Sequence, residues 1–396
     1  LLPYLFLLIE VTLPIMKKIY LLVLLFSFSA FAQKTVFEIN SLKLKEKRTI
    51  SVVLPPSYEK NTDRKYPVIY LLDGDYLLDP FQGALTYGAY WDDLPEVIIV
   101  GIYQGNNRYD DCTVDGIQGV PFEKGAQFFE FIGTEVVSYI DQKYRTSSFR
   151  IIAGHDITAG FINFYLYKEN PLFNGFIALS PELAPKMEMR IPEQFTKIKT
   201  PIFYYQSSAD GDIKDIREPV EKLDQNIKLT SNKLVNYKYN YFKNATHYSL
   251  VLYSIPNALY QIFEAYKPIN SAEFNTKIMT LESGYADYLT SKYSFMATSL
   301  GIKMPVRMND FKAVETAIMK KEAYDELEPL AVVANTDYPT AMLGEYLMGV
   351  MYEKRGDYKR AGKRYQVASQ LDPIDNLDKD LMYEKMEEMK ILSDKK

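Results

Sequence analysis

Cysteine, tryptophan and histidine are almost missing from this 396-residue chain: Cys112 and Trp91 stand alone, and the 2 histidines are His155 and His247. A single cysteine forbids an internal disulfide, so the core must be sufficient without covalent staples. Two histidines and one cysteine make no metal-ligand cluster, and nothing beside Cys112 offers the histidine that would activate it as a nucleophile. No metal or other cofactor is expected. Charge of one sign is scarce too. The formal net charge of −5 comes with no basic stripe that would bind nucleic acid and no acidic tail. Beyond the N-terminal region no apolar run could cross a bilayer. Tyrosines are plentiful, but residues spread this way are usually amphipathic rim positions and define no site.

What is present begins with an address. Met16-Lys17-Lys18 opens a basic segment, residues 19–28 are apolar, and Ala30-Phe31-Ala32 supplies the small-x-small pattern cut by signal peptidase, before Gln33. The apolar run is too short for an anchor if translation starts at Met16. Because the chain opens with Leu1, residues 1–15 are expected to be upstream sequence, and residues 1–32 are expected to be absent from the mature protein. No cysteine follows the apolar run directly, which excludes a lipidated N-terminus. The expected destination is a periplasm or the exterior.

From residue 33 to 268 strand-like and helix-like stretches alternate, the pattern of an α/β domain. Residues 48–54 read as a strand with alternating β-branched positions. Residues 67–72, 97–102, 150–153, 176–179 and 202–205 are short apolar runs, as in a parallel sheet covered on both faces. Residues 126–144 carry Phe128, Phe131, Ile132, Val136, Tyr139 and Ile140 at helical spacing. Beyond residue 268 the strand pattern stops, and residues 269–396 read as all-helical. Counting from Met342, the positions of Gly349, Tyr352, Ala361, Tyr365, Ala368 and Pro373 fit one tetratricopeptide unit, with Gly356-Asp357 as its turn. One clear repeat is too few for a free-standing solenoid, so this region is expected to lean on the α/β domain or on a protein partner.

The chemistry is expected where residues 150–153, a strand, lead into Gly154-His155-Asp156-Ile157-Thr158-Ala159-Gly160. Strand, small-x-X-x-small and helix make the nucleophile elbow of α/β-hydrolases, whose central side chain stands above the sheet while the next backbone N–H, here that of Ile157, points at the oxyanion position. The central residue is Asp156, and aspartate tolerates positive φ better than most residues. Thr158 occupies a position that calls for a small residue, and its β-branch is expected to widen or distort the elbow. His155 is expected to pack under the sheet.

Further stretches carry a resemblance. They include Leu54-Pro55-Pro56-Ser57-Tyr58, Tyr66-Pro-Val-Ile-Tyr-Leu-Leu-Asp-Gly74, Leu94-Pro-Glu-Val-Ile-Ile-Val-Gly-Ile102, Arg108 with Asp111, Tyr139-Ile-Asp-Gln-Lys-Tyr-Arg-Thr146, Gly154-His155 and Phe173-Asn-Gly-Phe-Ile-Ala-Leu-Ser-Pro181. Through them the chain resembles the esterase family that includes enterochelin (siderophore) esterases and S-formylglutathione hydrolases, over about residues 35–268. The resemblance implies an α/β-hydrolase fold, a mostly parallel twisted sheet with helices on both faces, followed here by the small all-α region. It implies carboxylic-ester hydrolysis by a serine at Gly-His-Ser-x-Gly-Gly, where this chain has Asp156 for the serine and Thr158 for the first glycine of the pair. Chain order of nucleophile, acid and histidine then puts the acid at Asp210, with Asp212 the alternative, and the histidine at His247. Gly74 and Asp75 join Ile157 as oxyanion and pocket positions. The ligand implied is a small acyl-type or siderophore-like molecule.

A carboxylate has no proton for histidine to take, and its attack on an ester would yield a mixed anhydride. Its fixed charge would also oppose the developing oxyanion. At about 4 Å and moderate dielectric that is about 4 kcal/mol, roughly three orders of magnitude in rate. The first expectation is therefore a degenerate esterase that binds a ligand or partner. The alternative is an active hydrolase with Asp156 as nucleophile at saturated carbon, as in the haloalkane dehalogenases and epoxide hydrolases that carry Gly-His-Asp. A substitute hydroxyl at Thr158 is disfavoured because it should point along the following helix.

Overall fold

The structure is a computed structural model describing residues 34–395; the expected signal segment therefore lies outside the described residues. Eight strands form one sheet: β1 (Lys34–Ser41), β2 (Glu46–Val53), β3 (Tyr66–Leu71), β4 (Ile98–Ile102), β5 (Thr146–His155), β6 (Gly175–Leu179), β7 (Ile202–Gly211) and β8 (Val235–Thr246). Their order is β1-β2-β4-β3-β5-β6-β7-β8. β1, β2 and β4 are joined antiparallel, and every neighbouring pair from β4 through β8 is parallel. The chain thus has the α/β-hydrolase sheet expected of it.

The central strands are buried on both faces because successive side chains point to opposite sides. Ile69 and Leu71 of β3 and Ile151 and Ala153 of β5 join one core, while Val68, Tyr70 and Ile152 join the other. The helix expected over residues 126–144 runs from Lys124 to Lys143, with a π-helical turn at Phe131–Val136 in its middle. Two strands escaped the periodicity argument. β1 is an exposed edge of mostly polar residues, and β8 is half-buried, with Tyr237, Tyr239 and Tyr241 at alternate positions.

After Asn270 the described residues are helical, and their core is continuous with one face of the sheet: Phe149 and Phe203 share a cluster with Leu289, Phe311, Leu347 and Met389. Arg307 ties the two regions with a double ion pair to Asp92, Nε at 2.5 Å and Nη2 at 3.0 Å, and Nη1 bonds the carbonyl of Tyr266 at 2.9 Å. In the hairpin of Leu343–Lys354 and Tyr358–Ala368, Ala361, Tyr365 and Ala368 are fully buried. Any Cβ at Gly349 would collide with the ring of Tyr365, so the close approach there requires glycine. Among the described residues no helix is long and apolar enough to cross a membrane.

Candidate active site

β5 ends at His155, and Asp156 turns the chain at φ 63° and ψ −124° into the helix Ile157–Phe161. Such a conformation costs a non-glycine residue about 1–3 kcal/mol. The turn is held from three sides: Asp156 N–H donates to the Leu179 carbonyl at 3.0 Å, and its own carbonyl accepts from Gly160 at 3.1 Å and Glu182 at 3.0 Å. A Cβ on Gly154 would lie 2.8 Å from the Thr158 carbonyl carbon, and one on Gly160 would strike the Glu182 carbonyl. These two glycines supply the clearance that the motif needs.

Thr158 does not distort the elbow as expected. It is fully buried, and its Oγ1 accepts from the His155 N–H at 2.9 Å and contacts the carboxylate of Asp73. The hydroxyl points back toward the β3 turn, not along the helix, and the space a glycine would have left is filled by a satisfied polar group. Asp73 is itself buried, with a left-handed backbone at φ 56°, directly before the helix Gly74–Tyr90.

One guanidinium joins these pieces. Arg108 Nε donates to Asp73 Oδ1 at 2.6 Å, Nη2 to the His155 carbonyl at 2.7 Å, and Nη1 to Asp156 Oδ2 at 3.1 Å. Burial alone would pull the Arg108 pKa down, but the bond to Asp73, its charge and the bond to Asp156 outweigh it and raise the value. Arg108 is therefore a permanent cation set against the elbow carboxylate. The other carboxylate oxygen, Oδ1, lies 3.8 Å from His247 Nε2.

Behind His247 the acid is Asp212, not the first-choice Asp210. Asp212 Oδ1 is 2.6 Å from His247 Nδ1, and Ser180 Oγ donates to its Oδ2 at 2.6 Å. Burial would raise the Asp212 pKa, but the bonds from His247 and Ser180 more than reverse this, and the carboxyl sits below its ordinary value. Asp210 is exposed; it accepts from the neighbouring Gly211 N–H at 3.0 Å and gives its carbonyl to Arg217. The cause is the length of β7. Pairing with β8 carries the strand through Gly211, six residues past the apolar run 202–205, so the loop that bears the carboxylate begins at Asp212.

His155 also lies elsewhere than expected. It packs against His247 within the site, with ring centroids 4.5 Å apart, not under the sheet. Its Nε2 meets the His247 carbonyl at 3.0 Å and its Nδ1 the Tyr76 hydroxyl at 3.0 Å. A carbonyl only accepts, which assigns the proton to Nε2 and makes Nδ1 the acceptor of the Tyr76 O–H. Burial, then the neighbouring His247, hold the His155 pKa below its ordinary value.

Of the oxyanion and pocket positions, Ile157 and Gly74 each begin a helix, where N–H groups have no carbonyl to pair with inside the helix. Gly74 lies so close to β4 that a Cβ would come within 2.9 Å of the Gly101 carbonyl carbon. Asp75 serves the β4 loop: its Oδ2 accepts from the N–H groups of Gln104 at 3.3 Å and Gly105 at 3.4 Å. Sequence reasoning quoted Arg108 without giving it a part here, and missed Asp73, Tyr76 and Ser180. The signal that could have found them was membership of the matching stretches, which contain Asp73, Arg108 and Ser180.

The chemistry follows from this arrangement. His247 is backed by the Asp212 carboxylate, an arrangement that can hold an imidazole for proton transfer, while the elbow itself holds a carboxylate already paired with a fixed cation.

Among solved structures, the chain is similar to an uncharacterised protein from Capnocytophaga ochracea, at 28% identity and TM-score 0.84, over 91% of this chain and 100% of that one. That share is too large for the sheet region alone and takes in the helices. An IroE-like serine hydrolase from Shewanella oneidensis aligns at 20% identity and TM-score 0.57, over 77% of this chain and 99% of that one. The BES protein from Bacillus cereus aligns at 17% and 0.50, over 58% and 94%. No curated protein matches the chain. The family model described as Putative esterase matches residues 41–243, and the chain belongs to that family.

Proposed function

We propose that this protein is an exported, catalytically degenerate member of the esterase family, which uses the former active site to bind a ligand rather than to cleave an ester. The observation that carries this reading is the ion pair from Arg108 Nη1 to Asp156 Oδ2 at 3.1 Å. A serine nucleophile must lose a proton to histidine as it attacks. Asp156 offers no hydroxyl proton to transfer, its carboxylate is paired with Arg108, and that group stands beside the place where an oxyanion must form. The ligand is a small acyl-type or siderophore-like molecule, in keeping with the parent family's substrates. Residues 1–32 are removed on export to the periplasm or beyond, residues 33–268 form the esterase-like domain, and residues 269–396, with their tetratricopeptide-like hairpin, hold a protein partner. The direct test is purified protein on p-nitrophenyl acetate and butyrate. No hydrolysis above background is expected; brisk turnover that disappears in Asp156→Ala would overturn the proposal.

One observation favours a second reading. The His247–Asp212 pair is intact at 2.6 Å, and His247 Nε2 is 3.8 Å from Asp156. A water between them could hydrolyse an alkyl ester formed on Asp156 by displacement at saturated carbon. Assays on 1-bromobutane and styrene oxide separate the two readings, because a binding protein turns over neither.

A further inference from the structure

The opposite end of β5 carries a second feature. Its first residues, Thr146, Ser147 and Ser148, line a cleft of about 1040 Å³ between the loop at residues 60–65 and the segment at residues 301–305 that leads into the helical region. The strand separates this cleft from the elbow by ten residues, roughly 30 Å at the usual rise. Lys60, Arg64, Lys65 and Lys303 are among the residues that line it. Arg64 is shared with Glu96 at 3.1 Å, but Lys60, Lys65 and Lys303 have no ion-pair partner among the described residues. The acidic side chains are outnumbered. Asp92 is taken by Arg307, and Asp63 alone remains. In a protein of net charge −5, three unneutralised lysines and an arginine around one cleft are a local reversal of sign.

We infer that this seam cleft is an anion site for a ligand carrying more than one phosphate group. Cations held together without counter-charges repel one another, and a multivalent anion removes that repulsion while releasing bound counterions. The Ser147 and Ser148 hydroxyls at the β5 start add hydrogen-bond donors suited to phosphate oxygens. Tyr266 and Met304 give the cleft apolar wall on the side of the helical region, where the rest of a phosphorylated molecule would lie. The site uses both regions of the chain and does not depend on the reading of the elbow.

The test is calorimetric titration of the full chain with inorganic pyrophosphate and with inositol hexakisphosphate. Binding is expected in about 25 mM salt and should weaken about tenfold or more in about 300 mM salt. The double variant Lys65→Glu/Lys303→Glu, changed only at exposed positions, should lose at least about tenfold in affinity with an unchanged melting temperature, whereas Lys390→Glu should bind as the parent does. Vesicles containing diphosphoryl lipid A, set against phosphatidylcholine alone, identify the source: sedimentation with the former marks a lipid headgroup, and binding of the soluble probes alone marks a free phosphorylated ligand. No binding at low salt, or binding indifferent to the double charge reversal, would overturn the inference.

Discussion

The two halves of the elbow cluster differ in what holds them. Asp212, His247 and Ser180 keep an acid–histidine arrangement, with bonds of 2.6 Å from Asp212 to each partner, although no hydroxyl stands at the elbow for it to serve. The other half, Asp156, Thr158, Asp73 and Arg108, is arranged around a fixed cation. A buried polar group without a partner costs about 1–3 kcal/mol. Here each polar group is bonded: Asp156 to Arg108 and Thr158 to Asp73. The two halves are anchored on different strands, so the bonds around Asp156 and those behind His247 form independently.

The sharpest break of this comparison is to restore the missing hydroxyl. Asp156→Ser should create hydrolysis of p-nitrophenyl acetate at least about two orders of magnitude above the parent, since it removes the opposing charge and supplies an O–H within reach of His247. Rates on the purified variant check this; a folded Asp156→Ser with no activity would mean that the His247 half is no longer competent. Thr158 is best left in place, because its hydroxyl now supports the turn.

Next in size is removal of the cation. Arg108→Met leaves Asp73, 1% exposed, as a buried carboxylate without its charge partner and should cost about 3–5 kcal/mol in urea unfolding. Arg108→Lys should recover only part, because a point charge cannot serve Asp73, Asp156 and the His155 carbonyl together. Thr158→Val is smaller. It strips the hydroxyl from a buried site while keeping the shape, and should cost about 1–3 kcal/mol.

The smallest effects are those of pH. The Asp212 carboxyl is held below its ordinary value of 3.8, so the unfolded chain takes up this proton first. Its stabilisation is complete above that value and falls away as pH drops below about 4 through the folded pKa. The depressed His155 value has the same sign in a higher window. The unfolded state protonates near 6.5 while the folded site resists, so stability falls as pH is lowered below that point. Unfolding curves of the parent should slope in both windows; His155→Gln should flatten the upper one and Asp212→Asn the lower.

The elbow was legible because it is local. Strand, turn and helix lie within residues 146–161, and their spacing alone placed Asp156 at the bend. The central strands were legible for a similar reason, since burial on both faces writes itself as an unbroken apolar run. β8 was missed because half-buried tyrosines alternating with polar residues carry a weak signal until a neighbour pairs with them. Asp210 was preferred over Asp212 because the end of β7 is decided by that same pairing. The part played by Arg108 could not be read at all: it lies 48 residues from Asp156 in the chain.

By itself, then, the sequence determined the family framework, the elbow and the aspartate at its bend, all properties of short stretches whose chemistry does not wait for distant neighbours. Only the tertiary structure decided that the carboxylate at the bend is clamped by a guanidinium, that Thr158 is bonded to Asp73, and that Asp212, not Asp210, bonds His247. The physical reason is that charge pairing and hydrogen bonding depend on distances between remote segments, and those distances exist only once the sheet has assembled.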